Sequence, residues 1–385
     1  MPPLRNLFAA RLGGIYEIEG GHAKRLLTME GARGVAVALV FLVHYRASFG
    51  AWAGHGTATE AVTQFLWTIG HSGVDLFFVL SGYLIYGAVL KPSLDYSKFM
   101  GRRIQRIYPA FLAVFAMYLA LSFVFPSQSK LPANPIDAGI YVLENLLLLP
   151  GIFPIKAIVS VAWSLSYEFF YYLALPLLVM ALGIRRWPAK QRMIFFGVVS
   201  VAFVASWYLL APKAPRMLMF IAGILLYDAV HSLNLWPRIS KGAEWTIIAT
   251  TLIAFAAIGY VDRAGNGDLA RIIVSYLAFA PLIFACFRAS GPLYHAFSWT
   301  PLRWLGNMSY SYYLIHALTI NAAAMVLGKL LPNANPTLYW LAMPPVFFAT
   351  LVTSTLLFVL VEKPFSLAAP RPRPVTPALA DAPQA

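Results

Sequence analysis

The sequence predicts an all-α polytopic membrane protein with about ten transmembrane helices and both termini in the cytoplasm. Three observations carry this. Only 11% of the 385 residues are charged and 60% are apolar, whereas an ordinary soluble domain is roughly 25% charged. The apolar residues form long unbroken runs, unlike the short alternating segments of an outer-membrane barrel. The Lys and Arg residues are spread unevenly over the loops between those runs. The same numbers exclude a soluble enzyme, and 57 aromatic side chains exclude a disordered chain.

A helix needs about 20 apolar residues to cross the hydrocarbon core. Ten runs qualify, near 34–50, 69–90, 107–126, 163–184, 193–211, 215–231, 245–260, 271–287, 305–330 and 338–361. Another run, 136–150, is shorter, carries Asp137 and Glu144, and ends at Pro150. With the N-terminus inside and ten crossings, 21 of the 29 Lys and Arg fall in inner segments and 8 in outer ones. Counting 136–150 as a crossing would move the Arg185–Arg192 cluster outside, against the positive-inside rule. That run is therefore expected on the outer side, as an interfacial or re-entrant piece. The inner bias accounts for the net charge of +14 without a nucleic-acid partner. The chain divides into a cytoplasmic segment (1–33) without a signal-peptide pattern, a membrane domain (34–365) and a Pro- and Ala-rich cytoplasmic tail (366–385). One cysteine, Cys286, excludes an intramolecular disulfide. Gly82 and Gly87 suit close helix approach.

Ionisable groups at membrane depth are costly and mark functional sites by default. His44, Asp75, Glu168 and His316 lie in four different expected crossings. Arg33 and His44 are eleven residues apart, which places them on one helix face with a rise of about 16 Å. Arg33 thus stays at the inner surface and His44 reaches mid-membrane. Asp75 is about 9 Å below the outer surface, and His316 about 16 Å above the inner one. Glu168 enters five residues from the outer side. All four reach one height, as a buried reaction site would need, although each could instead be a separately satisfied core group.

Arg102, Arg103 and Arg106 begin the third crossing and are spaced to share a helix face. Plain positive-inside anchoring would explain any cations there, but guanidinium forks also bind phosphates through paired hydrogen bonds. Together with Arg33 they suggest a polyanionic donor held at the cytoplasmic face, its reactive end reaching up to His44. Trp163, with Tyr167, Tyr171 and Tyr172, lies at the outer boundary, as an interfacial aromatic belt or as rings that stack on a sugar. Tyr313 and His316 could line one face of the ninth crossing. His55 and His71 lack ligand spacing, so no metal is expected.

These residues carry a resemblance. The chain resembles the acyltransferase-3 family of integral membrane O-acyltransferases in Glu30-Gly-Ala-Arg33 through His44, His71 through Ile85, Arg102-Arg-Ile-Gln-Arg106-Ile-Tyr-Pro109, Trp163-Ser-Leu-Ser-Tyr-Glu168, Leu305 through His316 and Glu362-Lys-Pro-Phe365. The elements follow the family's order over nearly the whole chain. Glu30 departs from the family's usual Asp but keeps the charge.

The resemblance implies transfer of an acyl group, commonly acetyl from acetyl-CoA, to hydroxyls of extracytoplasmic carbohydrate (surface polysaccharide, lipopolysaccharide or oligosaccharide) or of small metabolites such as macrolides. It implies a multi-pass protein of the inner membrane with acyl-CoA and a carbohydrate acceptor as partners. Some members carry a C-terminal hydrolase-like domain; this chain looks like the stand-alone type. His44 is the expected base or acyl carrier. Asp75 or Glu168 would orient it, and Arg33, Arg102, Arg103 and Arg106 would hold the phosphates of CoA. A flippase of a lipid-linked sugar would use the same polar groups as a path, and stays open as an alternative.

Overall fold

The computed structural model describes residues 12–17, 27–210, 215–236, 238–263 and 267–367. The tail expected from 366 lies almost wholly outside the described residues. Among them the architecture is helical throughout, with one isolated bridge between Pro150 and Phe153 and no strand. Nine stretches among the described residues are long and apolar enough to cross a bilayer. They contain α1 (Leu27–Phe49), α2 with α3 (Ala58–Gly70, Ser72–Val89), α4 (Tyr96–Val124), α6 (Trp163–Ala181), α7 (Ala189–Leu210), α9 (Lys241–Arg263), α10 (Gly267–Arg288), α13 (Ser309–Leu330) and α14 (Pro336–Leu357). Shorter helices fill the gaps: α5 (Pro135–Leu146), α8 (Leu218–Tyr227), α11 (Pro292–Phe297) and α12 (Thr300–Asn307). The chain is an all-α polytopic membrane protein.

Three expected runs take a form that length alone did not specify. The run at 215–231 becomes α8, continued by a π turn at Asp228–Ser232. Its 15 residues rise about 22 Å, short of a roughly 30 Å hydrocarbon core. It runs parallel to α3, with Phe78 stacked on Phe220 at 4.6 Å and Tyr86 donating to Asp228 at 3.0 Å. Eight of its ten α-helical residues are buried, so helices rather than lipid set its length. A Cβ on Gly82 or Gly223 would strike the partner backbone at Phe220 or Val79, and the two glycines let these axes close.

The run at 69–90 is longer than expected. α2 precedes it in nearly continuous helix from Ala58, its first turn capped by Thr57, whose hydroxyl accepts from the Glu60 amide at 3.0 Å. The run at 136–150 forms α5, which at 12 residues is too short to span. Asn134 caps it, Pro135 starts it, and Ile136, Ile140, Leu143 and Leu147 form one exposed apolar stripe. That amphipathic pattern suits a helix lying in an interface.

α1 organises the centre. Let the end where it starts be proximal and the other end distal. α3 runs antiparallel to it, since Gly70 abuts Val43 and Gly73 abuts Ala36. α13 runs parallel, matching His44 with His316 and Ser48 with Asn321. α14 returns antiparallel: Tyr45 donates to the Tyr339 carbonyl at 2.6 Å and Phe41 meets Phe347 at 4.8 Å. α4 starts proximally, where Arg106 pairs with Glu362 at 2.6 Å in the π-helical continuation of α14 (Phe358–Ser366).

Candidate active site

At the proximal half of the bundle, α1, α3, α4, α6 and α13 enclose a pocket of about 140 Å³. Three guanidinium groups line it, from Arg33, Arg103 and Arg106, together with one carboxylate, Glu168. The rest of the wall is aromatic, aliphatic or hydroxyl-bearing: Phe77, Tyr172, Tyr310, Leu80, Ser81 and Ser164 among them. The three cations differ in how far they are committed. Arg106 is bound to the fully buried Glu362 and lies over the Tyr310 ring at 5.5 Å. Arg103 stacks between Phe99 and Tyr172, at 5.1 and 5.2 Å, and its Nε is buried with no hydrogen-bond partner. Arg33 makes no hydrogen bond or ion pair among the described residues. Arg102 is exposed and lines no part of the pocket. On a helix of 3.6 residues per turn it lies 100° around from Arg103, and only its neighbour turns inward.

Glu168 accepts from Ser81 at 3.0 Å and from Tyr172 at 2.5 Å. Its carboxylate is therefore fixed in the arginine pocket. Asp75 sits elsewhere. It is fully buried, and Arg216 pairs with it at 3.2 Å while also donating to the His71 carbonyl at 2.9 Å. Trp163 lies beneath that arginine, its ring 5.7 Å from the guanidinium, and lines neither this pocket nor the distal cavity described below.

The two histidines meet. His44 and His316 are 4.7 Å apart between ring centres, edge to face at 79°. His316 is fully buried and His44 half-buried. Nδ1 of His316 lies 2.9 Å from the Tyr312 carbonyl. A carbonyl can only accept, so Nδ1 carries the proton and Nε2 keeps its lone pair. That Nε2 is buried with no partner. The Tyr313 ring, part of the pocket wall, stands 5.9 Å from His316. Ser164 donates to the Tyr313 hydroxyl at 2.7 Å, and that hydroxyl donates to the Val161 carbonyl at 3.1 Å. The arginine pocket thus ends one side chain away from the histidine pair.

Three residues of this site carried no expectation, and a fourth, Tyr172, was expected in an aromatic group at the outer boundary but lines the arginine pocket beside Arg103. Glu362 stood in a recognised element without a role, though a carboxylate at the end of an apolar run obeys the same rule that singled out Asp75. Ser81 and Ser164 are hydroxyls on helices, and nothing in their spacing says what they touch.

The model of the acyltransferase domain matches residues 26–359, nearly all of the described bundle. The chain belongs to the acyltransferase-3 family. Among relatives of this family, the acyltransferase MdmB of Streptomyces mycarofaciens is 29% identical over 92% of this chain and 95% of that protein. The exopolysaccharide production protein ExoZ of Rhizobium meliloti is 27% identical over 81% of this chain and 94% of its own length. The peptidoglycan O-acetyltransferase OatA of Listeria monocytogenes is 26% identical over 89% of this chain, but the match covers 56% of that protein. The chain therefore spans about half the length of that peptidoglycan relative. No solved structure matches this acyltransferase-3 protein.

Proposed function

We propose that the protein is an O-acyltransferase of the inner membrane that moves an acetyl or other short acyl group from acyl-CoA to a hydroxyl of an extracytoplasmic or membrane-linked carbohydrate. The single observation that carries this is the arginine pocket that ends at Tyr313, beside the histidine pair. Two guanidiniums without carboxylate partners suit the oxygens of a diphosphate. The pocket, about 140 Å³, is smaller than the roughly 300–1,000 Å³ of most small-molecule sites. It suits the slender pantetheine arm of CoA, with the nucleotide outside at the proximal face. That face is the cytoplasmic one in this reading, because acyl-CoA is made and kept there. The rise from Arg33 to His44 is about 16 Å, so a donor gripped at one presents its thioester near the other.

The acceptor hydroxyl oxygen attacks the thioester carbonyl, and the new C–O bond forms as the C–S bond breaks. His44 takes the hydroxyl proton and returns it to the departing thiolate. His316, its tautomer set by the Tyr312 carbonyl, keeps an unprotonated, unpartnered Nε2 within the ring pair, where it would steady an imidazolium formed on His44. Glu168 and Arg106 complete the charge balance of the donor pocket. The names of relatives, a peptidoglycan O-acetyltransferase and an exopolysaccharide production protein, support carbohydrate as the acceptor class.

The test is thermal unfolding of the detergent-solubilised protein with acetyl-CoA. At a hundred times its dissociation constant, a ligand stabilises by about 2.7 kcal/mol. That shift is expected in the parent and in His44→Ala, and is lost in Arg33→Ala. A parent indifferent to acetyl-CoA and to longer acyl-CoA refutes the reading.

A further inference from the structure

A second cavity, of about 380 Å³, lies at the distal half of the bundle between α4 and α13 and the segment before α6. It is within the size range of small-molecule sites. Its wall holds the hydroxyls of Ser122 and Ser160, the amides of Gln128 and Asn321, and the rings of Tyr118 and Phe125. Among the described residues it has no acidic or guanidinium lining; its one cation, Lys130, gives its ammonium to the carbonyls of Ala157 at 2.7 Å and Ile158 at 3.3 Å. Amides and hydroxyls both donate and accept, and aromatic faces stack on the C–H faces of sugar rings. The composition fits a neutral polyol and not a polyanion.

Its place relative to the histidines gives it a role. Asn321 lines the cavity and accepts from Ser48 at 2.8 Å. Ser48 is one turn beyond His44 on α1, and Asn321 lies on α13 five residues beyond His316. Leu318, two residues past His316, is also in the wall. Tyr313, three residues before His316, lines the arginine pocket. The histidine pair therefore separates a pocket of three guanidiniums from one of amides and hydroxyls whose single ammonium is engaged by carbonyls. We infer that the distal cavity is the acceptor site and that it takes a sugar unit whose hydroxyl is presented to His44 from the side opposite the thioester. This rests on the function proposed above and adds where its second substrate binds.

Filling the cavity tests the inference. Ala322 lines it and its side chain is exposed, so Ala322→Trp adds bulk without entering the helix core. Asn321→Ala is the milder variant. Each is placed in a host strain lacking its own copy, and base-labile acetate is measured on the envelope carbohydrate; each purified protein is also scanned for stabilisation by acetyl-CoA. The inference predicts at least a tenfold loss of acetate with Ala322→Trp, a smaller loss with Asn321→Ala, and undiminished stabilisation by acetyl-CoA in both. Full acetate with Ala322→Trp overturns it. So does loss of the acetyl-CoA effect in both variants, which would make the cavity part of the donor path. Equal acetate in the deletion strain and in the strain restored with the parent overturns carbohydrate as the class. A parent that acetyl-CoA fails to stabilise counts against the donor reading instead, and the acetate comparison still judges the cavity.

Discussion

Two guanidinium–carboxylate clusters lie at the proximal end of the bundle, and they are in opposite states. Around Asp228 every partner is engaged. Arg192 grips both oxygens, Nη2 to Oδ1 at 2.5 Å and Nε to Oδ2 at 3.0 Å. Tyr86 and Ser232 donate to the same two oxygens, and the remaining Arg192 nitrogen donates to the Trp187 carbonyl at 2.9 Å. In the arginine pocket, one carboxylate binds Arg106 from behind and another is held by hydroxyls, while Arg33 and Arg103 make no hydrogen bond or close ion pair to a carboxylate among the described residues. A saturated cluster ties helices together. An unsaturated one in a cavity leaves donors for an anion from outside, as the proposed function requires.

The sharpest break of this comparison lies beyond both clusters, at His44. Removing a general base lowers the rate about 10²–10⁴-fold. His44→Ala is expected to lose acyl transfer by that factor and to keep stabilisation by acetyl-CoA, as read by product acetate and by thermal unfolding. A His44→Ala protein with parental transfer would leave the arginine pocket without a reaction to serve. Next in size is the saturated cluster. Removing one partner of a buried pair strands the other charge and costs about 3–5 kcal/mol. Asp228→Ala should therefore unfold at much lower temperature or denaturant, while Arg33→Ala, which breaks no hydrogen bond or close ion pair, unfolds much nearer to the parent. Equal destabilisation by the two would erase the distinction between them.

How far these two clusters were legible in the sequence follows from their reach along the chain. Arg33 and His44 share one helix, so the 3.6-residue period set their relation in advance. Arg103 and Arg106 were visible for the same reason, but the period alone did not say which of Arg102 and Arg103 turns inward. Nine of the ten expected crossings correspond to long apolar helices among the described residues, and the tenth, 215–231, is too short to span. α2 escaped because Glu60, Gln64 and its threonines dilute the apolar signal. The pairs that matter most for assignment are remote: Arg106 with Glu362 at 256 residues and Asp75 with Arg216 at 141. A depth estimate can bring such residues to one height, yet not to one side of a bundle. Asp75 and Glu168 share a depth in the sequence reading, and in the fold each has its own partners.

Glu362 joins the two kinds of cluster. It is fully buried and accepts from Arg106, from the Ser311 amide at 2.9 Å and from the Ser311 hydroxyl at 2.5 Å. Glu362→Gln keeps an acceptor for Ser311 and removes the charge facing Arg106. A hydrogen bond to a charged group contributes about 1.5–3 kcal/mol, and a loss within that range is expected in thermal unfolding. Acetyl-CoA should then stabilise the variant more than the parent, because Arg106 is freed toward the pocket. A smaller response than the parent's would mean that Glu362 holds Arg106 in a geometry the donor requires.

The smallest effect separates neighbours. Arg102 is exposed at the proximal end of α4, and Arg103 is turned between Phe99 and Tyr172 in the pocket wall. Substitution of an exposed residue away from such features changes stability by about 0.5 kcal/mol or less, so Arg102→Ala should unfold as the parent does and respond to acetyl-CoA within a factor of about two. Arg103→Ala deletes a charge-assisted contact of about 1.5–3 kcal/mol and should weaken acetyl-CoA binding roughly tenfold or more in the same titration. Salt separates the two further, because exposed charges are screened beyond about 10 Å at 0.1 M ionic strength. Raising salt should erase any residual effect of Arg102→Ala and leave most of that of Arg103→Ala. If both variants lose binding equally at high salt, the nucleotide end of the donor rests on the outer lip of α4 and the pocket grips less of it than the uncommitted guanidiniums imply.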